Sequence, residues 1–217
     1  MTTVALCQLG PVLSDVPEKV ARAVGGDAGR RGAGRRPRRP ARTGHNGYTF
    51  RDADELRPSA EPLSGRRWAP LLRPPSDAPR STAGRWLSWG GFAEVDEGGV
   101  SGHQGVRRRV GRSRSLYRKV HLWDDENSVF VPSDRPPLVV GREVGRIGAC
   151  ICYEMELPEW IRTAALQGMD ILGTPHELAD VAAPVRERPI EVTPAQASVS
   201  VDRICVAVCD QVGPQGS

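Results

Sequence analysis

The sequence predicts an α/β layered fold, on three observations. From Leu116 onward, short apolar runs of strand length alternate with segments of helical length. The opening residues form one such strand–helix pair, before any other pattern sets in. A chain of 217 residues is long enough for one domain with its own core, or for two small ones. Alternating strands and helices bury their apolar faces as sheet layers covered by helices.

Each element has a local cause. Val4 to Leu9 reads as a buried strand ended by Gly10-Pro11. Asp15 caps a helix over Val16 to Val24, with Pro17 in its first turn and Gly25-Gly26 closing it. Gly47 to Leu63 has structured character, and Gly90 to Val95 is a strand that ends in the turn Asp96-Glu97-Gly98-Gly99. Leu116 to Leu122, Leu138 to Val140 and Arg146 to Ile151 follow as strands, the last delivering Cys152. Pro158 opens a helix through Gln167 that Gly168 closes. Ile171 to Gly173 is a short buried strand. Thr193 caps a helix from Ala195 to Asp202 with Pro194 in its first turn, and Ile204 to Val208 is the last strand.

Three stretches break this order: 27–44, 64–88 and 101–115 mix arginine with Gly, Ala, Pro and Ser and keep no period, so they are expected to be irregular. They account for a hydrophobic share of only 39% and a mean hydropathy of −0.40. They also hold much of the basic charge behind the net +4 and the isoelectric point near 9.0. Such clusters give salt-dependent affinity for phosphate. No aromatic residue interleaves with Arg30 to Arg42 to stack bases, so no nucleic-acid partner is expected. Five cysteines without framework spacing point to a reducing, cytoplasmic setting. The N-terminus lacks the basic and apolar regions of a signal peptide, and no apolar run has spanning length, so no membrane partner is expected.

The chemistry concentrates in two segments. Tyr117-Arg118-Lys119-Val120-His121-Leu122 leads into Glu126, and Gly148-Ala149-Cys150-Ile151-Cys152-Tyr153-Glu154 follows. Of the 30 basic residues only Lys19 and Lys119 are lysines. A thiol attacks as its thiolate, so it needs a cation or a base beside it. Lys119 can stabilise the Cys152 thiolate and hold a developing oxyanion, while a carboxylate such as Glu126 can move a proton. Taken singly, each has a plainer reading: a small buried Cys, an edge Lys, a loop Glu. Cys150 and Cys152 share a side by the period of two if the strand runs on. No His or Cys pair follows them at zinc-site spacing, so no metal and no cofactor are expected. His121 and His176 read as structural histidines; His176, after Thr174-Pro175 at a strand end, has the one route to the site. Trp123, Trp160 and Tyr48 fit a pocket lining and core packing equally.

The two segments resemble the lysine and cysteine motifs of the carbon–nitrogen hydrolase (nitrilase) family. The seven-residue step from Lys119 to Glu126 and the 33-residue step from Lys119 to Cys152 are similar to that family's spacings. The resemblance implies an α-β-β-α sandwich, here incomplete, with disordered Arg/Pro/Gly-rich insertions in a single domain over 1–217 truncated at its C-terminus. It implies hydrolysis of an amide, nitrile or N-carbamoyl small molecule through a thioester on Cys152. Lys119 and the backbone N–H of Tyr153 would stabilise the oxyanion, Glu126 would position substrate or a proton, and a homo-oligomer would form. One departure stands out. The family's general-base glutamate corresponds to Arg42, and arginine cannot act as a base at neutral pH. The likeness resumes abruptly after each arginine-rich stretch, the pattern left by out-of-frame reading of a GC-rich gene. A catalytically inactive relative that binds or oligomerises is therefore the alternative expectation.

Overall fold

In the computed structural model the residues described are 5–7, 40–42, 50–62, 87–97, 99–108, 114–142, 145–176 and 191–209. The expected helix over Val16 to Val24 and Tyr48 lie outside them. In chain order the elements are β1 (Ala5–Cys7), β2 (Pro40–Arg42), α1 (Ala53–Leu56), β3 (Leu87–Asp96), β4 (Gly99–Arg108), β5 (Arg114–Arg118), α2 (Glu126–Val129), β6 (Leu138–Arg142), β7 (Gly145–Ala149), α3 (Pro158–Leu166), β8 (Ile171–Pro175), α4 (Val192–Asp202) and β9 (Cys205–Cys209).

Two sheets organise the described residues. β3, β4 and β5 form an antiparallel meander, with β4 in the middle. The second sheet runs β6-β7-β8-β9; β6 is antiparallel to β7, while β7, β8 and β9 are parallel. Parallel neighbours need a crossover, and α3 and α4 supply the two crossovers. β1 and β2 pair in parallel, with the Cα of Arg42 opposite that of Cys7.

The apolar residues sort onto two faces of the second sheet by the strand period of two. On one face Ile147, Ala149, Ile171, Ala207 and Cys209 pack with Tyr117 from β5, which makes the seam between the sheets. On the other, Cys150, Leu172 and Met169 pack under α3 and α4 with Met155, Ile161, Ala164 and Ile204. The described layers are thus sheet, sheet and helix, three of the four layers of the expected sandwich. Gly148 sits where a Cβ would collide with the Met169 sulfur, so glycine there lets β7 and the Met169 side chain close up.

Several expectations are corrected here. The stretch 101–115 is not irregular where it is described: 101–108 belongs to β4 and 114–115 to β5. Its backbone bonds are taken up by a ten-pair ladder from Leu87↔Arg108 to Asp96↔Gly99, with Gly99 at φ +130° in the tight turn. The arginine-rich stretches ending at 44 and 88 likewise contain β2 and the start of β3. The Lys119 strand stops at Arg118 rather than Leu122, and β7 stops at Ala149. Helix α4 starts at Val192 with Glu191 as its N-cap, so Thr193 is inside the first turn and not the cap. Helix α3 ends where expected, with Gly168 at φ +81° just beyond it.

Candidate active site

The site forms where β5 and β7 end side by side at the seam between the sheets. Lys119, the residue after β5, is 2% exposed. Its Nζ donates to both oxygens of Glu126, at 2.7 Å and 2.6 Å. Glu126, itself 5% exposed, opens α2. The backbone N–H of Trp123 also donates to Glu126 Oε2, at 2.6 Å. Asp124 takes a left-handed φ of +44° to turn the chain there. The Lys119 carbonyl accepts from the N–H of Ser133 at 2.8 Å, which holds the lysine's own backbone. A buried ion pair persists when its charges keep further partners, and on the carboxylate side the Trp123 N–H supplies one.

Cys152 comes three residues after the end of β7. It is buried, has φ +50°, and begins a five-residue 3₁₀ turn, Cys152–Glu156. A non-glycine residue at positive φ costs free energy that the surrounding structure must offset, and such outliers gather at functional turns. The first i→i+3 bond of the turn runs from the N–H of Glu154 to the carbonyl of Ile151. The N–H of Tyr153 precedes that bond, so it belongs to the group of leading donors that a helix cannot use internally. The change in φ also corrects the expected alignment of the two cysteines. Cys150 points into the helix-side core, 1% exposed, and Cys152 leaves the strand's alternation altogether. Burial pushes the Cys150 thiol well above its ordinary range, and the nearby Glu154 carboxylate pushes it further.

Glu154, fully buried, joins the two segments. Its Oε1 accepts from the Tyr117 hydroxyl at 2.6 Å, the Val120 N–H at 2.8 Å and the His121 N–H at 3.2 Å. Its Oε2 accepts from the Ile151 N–H at 2.8 Å. Burial raises its pKa, and the four donors oppose that rise because they favour the charged form. The bonding pattern therefore belongs to the carboxylate. Trp160 donates its indole N–H to the Tyr117 oxygen at 3.1 Å, and the His121 ring meets the Trp160 ring edge-on at 4.6 Å. His121 and Trp160 are thus packing partners. Trp123 is 43% exposed beside the Glu126 turn. His176 is buried after β8, and its backbone N–H donates to the Cys209 carbonyl at 2.9 Å.

The structure therefore brings the segments of Lys119, Glu126, Cys152 and Tyr153 together. Both Lys119 and Cys152 lie close enough to Cys150 to act on its titration. Reading the sequence did not single out Glu154 or Tyr117, although both sit inside the quoted motifs. The available signal was an acid between Tyr153 and Met155 in an otherwise apolar run, because a buried carboxylate requires donors. Among the described residues no cluster of three metal-ligating side chains occurs, and no helix is long and apolar enough to cross a membrane.

The carbon–nitrogen hydrolase family profile matches residues 82–197, which span all four candidate site residues. The chain belongs to the carbon–nitrogen hydrolase family. It is 42% identical over 82 residues to an (R)-stereoselective amidase from a Pseudomonas species, a match covering 38% of this chain and 29% of that protein. It is 30% identical over 151 residues to the deaminated glutathione amidase of Bos taurus, covering 63% of this chain and 44% of that enzyme. The chain thus spans less than half the length of these curated relatives. Among solved structures, a mutant amidase of the nitrilase superfamily from Nesterenkonia AN1 superposes with a TM-score of 0.71 at 18% identity, over 100% of this chain and 78% of that one. A second structure of that amidase, with acrylamide added to its active-site cysteine, gives 0.67 at 20% identity, over 100% and 81%. These superpositions establish the nitrilase-like α/β fold.

Proposed function

We propose that this carbon–nitrogen hydrolase cleaves a small-molecule amide, nitrile or N-carbamoyl compound through a thioester on Cys152. The observation that carries this reading is the buried Lys119–Glu126 pair, held beside the turn that opens at Cys152 with φ +50°.

The steps follow from the chemistry of the groups. The Cys152 thiolate attacks the carbonyl carbon, a C–S bond forms, and the carbonyl electron pair moves onto oxygen. Lys119 Nζ and the Tyr153 N–H are the donors for that oxyanion, in a site where burial strengthens both. Collapse of the intermediate breaks the C–N bond, and the departing nitrogen needs a proton. Glu126 orients Lys119 through two hydrogen bonds, so the ammonium can give that proton and be restored from water. Water then attacks the thioester, the C–S bond breaks with sulfur leaving as the thiolate, a carboxylic acid departs, and the remaining proton of the water recharges Lys119. The absence of a glutamate at Arg42 bears most on this last step, which depends on a base to activate water. Deacylation is therefore expected to be the slower step, with an acyl adduct as the species that accumulates.

Intact-mass measurement after mixing with a simple amide tests the reading, with ammonia release followed in parallel. A single acyl adduct on the wild-type chain and none on Cys152→Ala is the expected result. Equal ammonia release by both proteins, with no adduct, would overturn it. That outcome would favour the inactive binding module to which Arg42 points. The proposal extends to a cytoplasmic homo-oligomer, on the family likeness and on the exposed Leu166 and Val201 of α3 and α4.

A further inference from the structure

We propose that Glu154 is a positioning residue which sets Lys119 against Cys152 by giving one carboxylate oxygen to each of their loops. The inference rests on the Cys152–Lys119 reading above and assigns a role to a residue that touches no substrate.

The division of labour within the carboxylate supports this. Oε1 takes donors only from the lysine segment, Tyr117, Val120 and His121, which flank Lys119 on both sides. Oε2 takes its donor, Ile151, from the cysteine segment, one residue before Cys152. No backbone hydrogen bond of a regular ladder spans this gap, since β5 ends at Arg118 and β7 at Ala149, in different sheets. The side chain of Glu154 is therefore a direct mechanical link between an ammonium and a thiol that must stay in register. A positive φ at Cys152 needs such a restraint, because the turn would otherwise relax. Only a carboxylate serves, because both oxygens face N–H or O–H donors. A carboxamide would turn an NH₂ group toward one set of them in either orientation. Tyr117 completes the link with fixed polarity: the indole N–H of Trp160 donates to the phenol oxygen, and the phenol proton goes to Glu154.

The test reads the thiol itself, so it does not depend on turnover. The full chain and its Cys152→Ala, Lys119→Met, Glu154→Gln, Tyr117→Phe and Lys119→Met/Glu154→Gln variants are treated with iodoacetamide from about pH 5 to about pH 10. Labelling of Cys152 is followed by peptide mass spectrometry, and folding is checked by circular dichroism. Lys119→Met is expected to raise the labelling midpoint and slow labelling at neutral pH by about tenfold. Glu154→Gln is expected to move the midpoint the same way, with a loss of about fivefold, and the double variant to be no worse than Lys119→Met alone. A purely structural glutamate would lower thermal stability and leave the midpoint in place, and that result overturns the inference. Multiplying losses in the double variant overturn it too. If Lys119→Met leaves the midpoint unchanged, the underlying ammonium–thiolate reading fails first and takes this one with it. Should Glu154→Gln not fold, Tyr117→Phe decides. It removes one donor of four and should slow labelling about twofold, whereas an unmoved midpoint overturns the proposal.

Discussion

Glu126 and Glu154 are both buried carboxylates next to the same lysine segment, and they are held by different partners. Glu126 faces an ammonium: Lys119 reaches both its oxygens, and one backbone N–H adds to them. Among the described residues Glu154 takes its bonds from three backbone N–H groups and a phenol rather than from a cation. The first arrangement produces a fixed, oriented positive charge, which the proposed reaction would use. The second arrangement produces a fixed backbone. One carboxylate orients the reagent, and the other joins the two loops that carry it.

The sharpest way to break the contrast is to remove the cation. Lys119→Met leaves Glu126 buried with a single backbone donor, a change expected to cost about 3–5 kcal/mol of folding stability in urea titrations. Adding Glu126→Leu should return at least half of that loss, since the orphaned charge is then gone. If the double variant is no more stable than Lys119→Met, the cost lies in packing, and Glu126 is no different in kind from Glu154.

A smaller effect sharpens the Glu154 side. Tyr117 and Cys150 both sit against this carboxylate, and burial first, then its negative charge, holds both protonated beyond their ordinary values of 10.0 and 9.0. A group whose folded pKa is raised stabilises the fold below its unfolded pKa and loses that contribution as pH rises above it. Stability should therefore fall from about pH 9 upward, by up to about 1.4 kcal/mol per pH unit for each group. Cys150→Ala should flatten the curve by one such slope. Identical slopes for wild type and variant would mean that Cys150 ionises as freely folded as unfolded.

The two carboxylates also mark how far the sequence could be read. The Lys119–Glu126 relation was visible as a seven-residue step across one turn, because both residues belong to a single local segment. The alternation of β6 to β9 with α3 and α4 was visible for the same reason: apolar period and glycine or proline punctuation are local signals. Glu154 was not visible as a link, because its three donors around Lys119 are 33 to 37 residues away in sequence. β4 escaped notice because Ser101, Gly102, His103, Gln104 and Gly105 leave no apolar alternation between Val100 and Val106, while its backbone is satisfied by pairing along its full length with β3. The positive φ at Cys152, which separates it from Cys150, left no trace in residue type, since glycine would be the usual mark.

The smallest expected effect supplies the scale for the largest. Arg57, just beyond α1, and Asp54, within it, form an ion pair at 3.8 Å with side chains 51% and 93% exposed. Water screens such a pair, and ordering two long side chains offsets what attraction remains. Arg57→Gln keeps most of the stem and removes the charge, so the urea midpoint should move by no more than about 0.5 kcal/mol equivalent. Set beside Lys119→Met, that near-silence assigns the weight of the Lys119–Glu126 pair to burial and to the absence of any substitute donor. A loss at Arg57 as large as that at Lys119 would mean that charge pairing alone governs both, and the distinction between the two buried carboxylates would lose its physical basis.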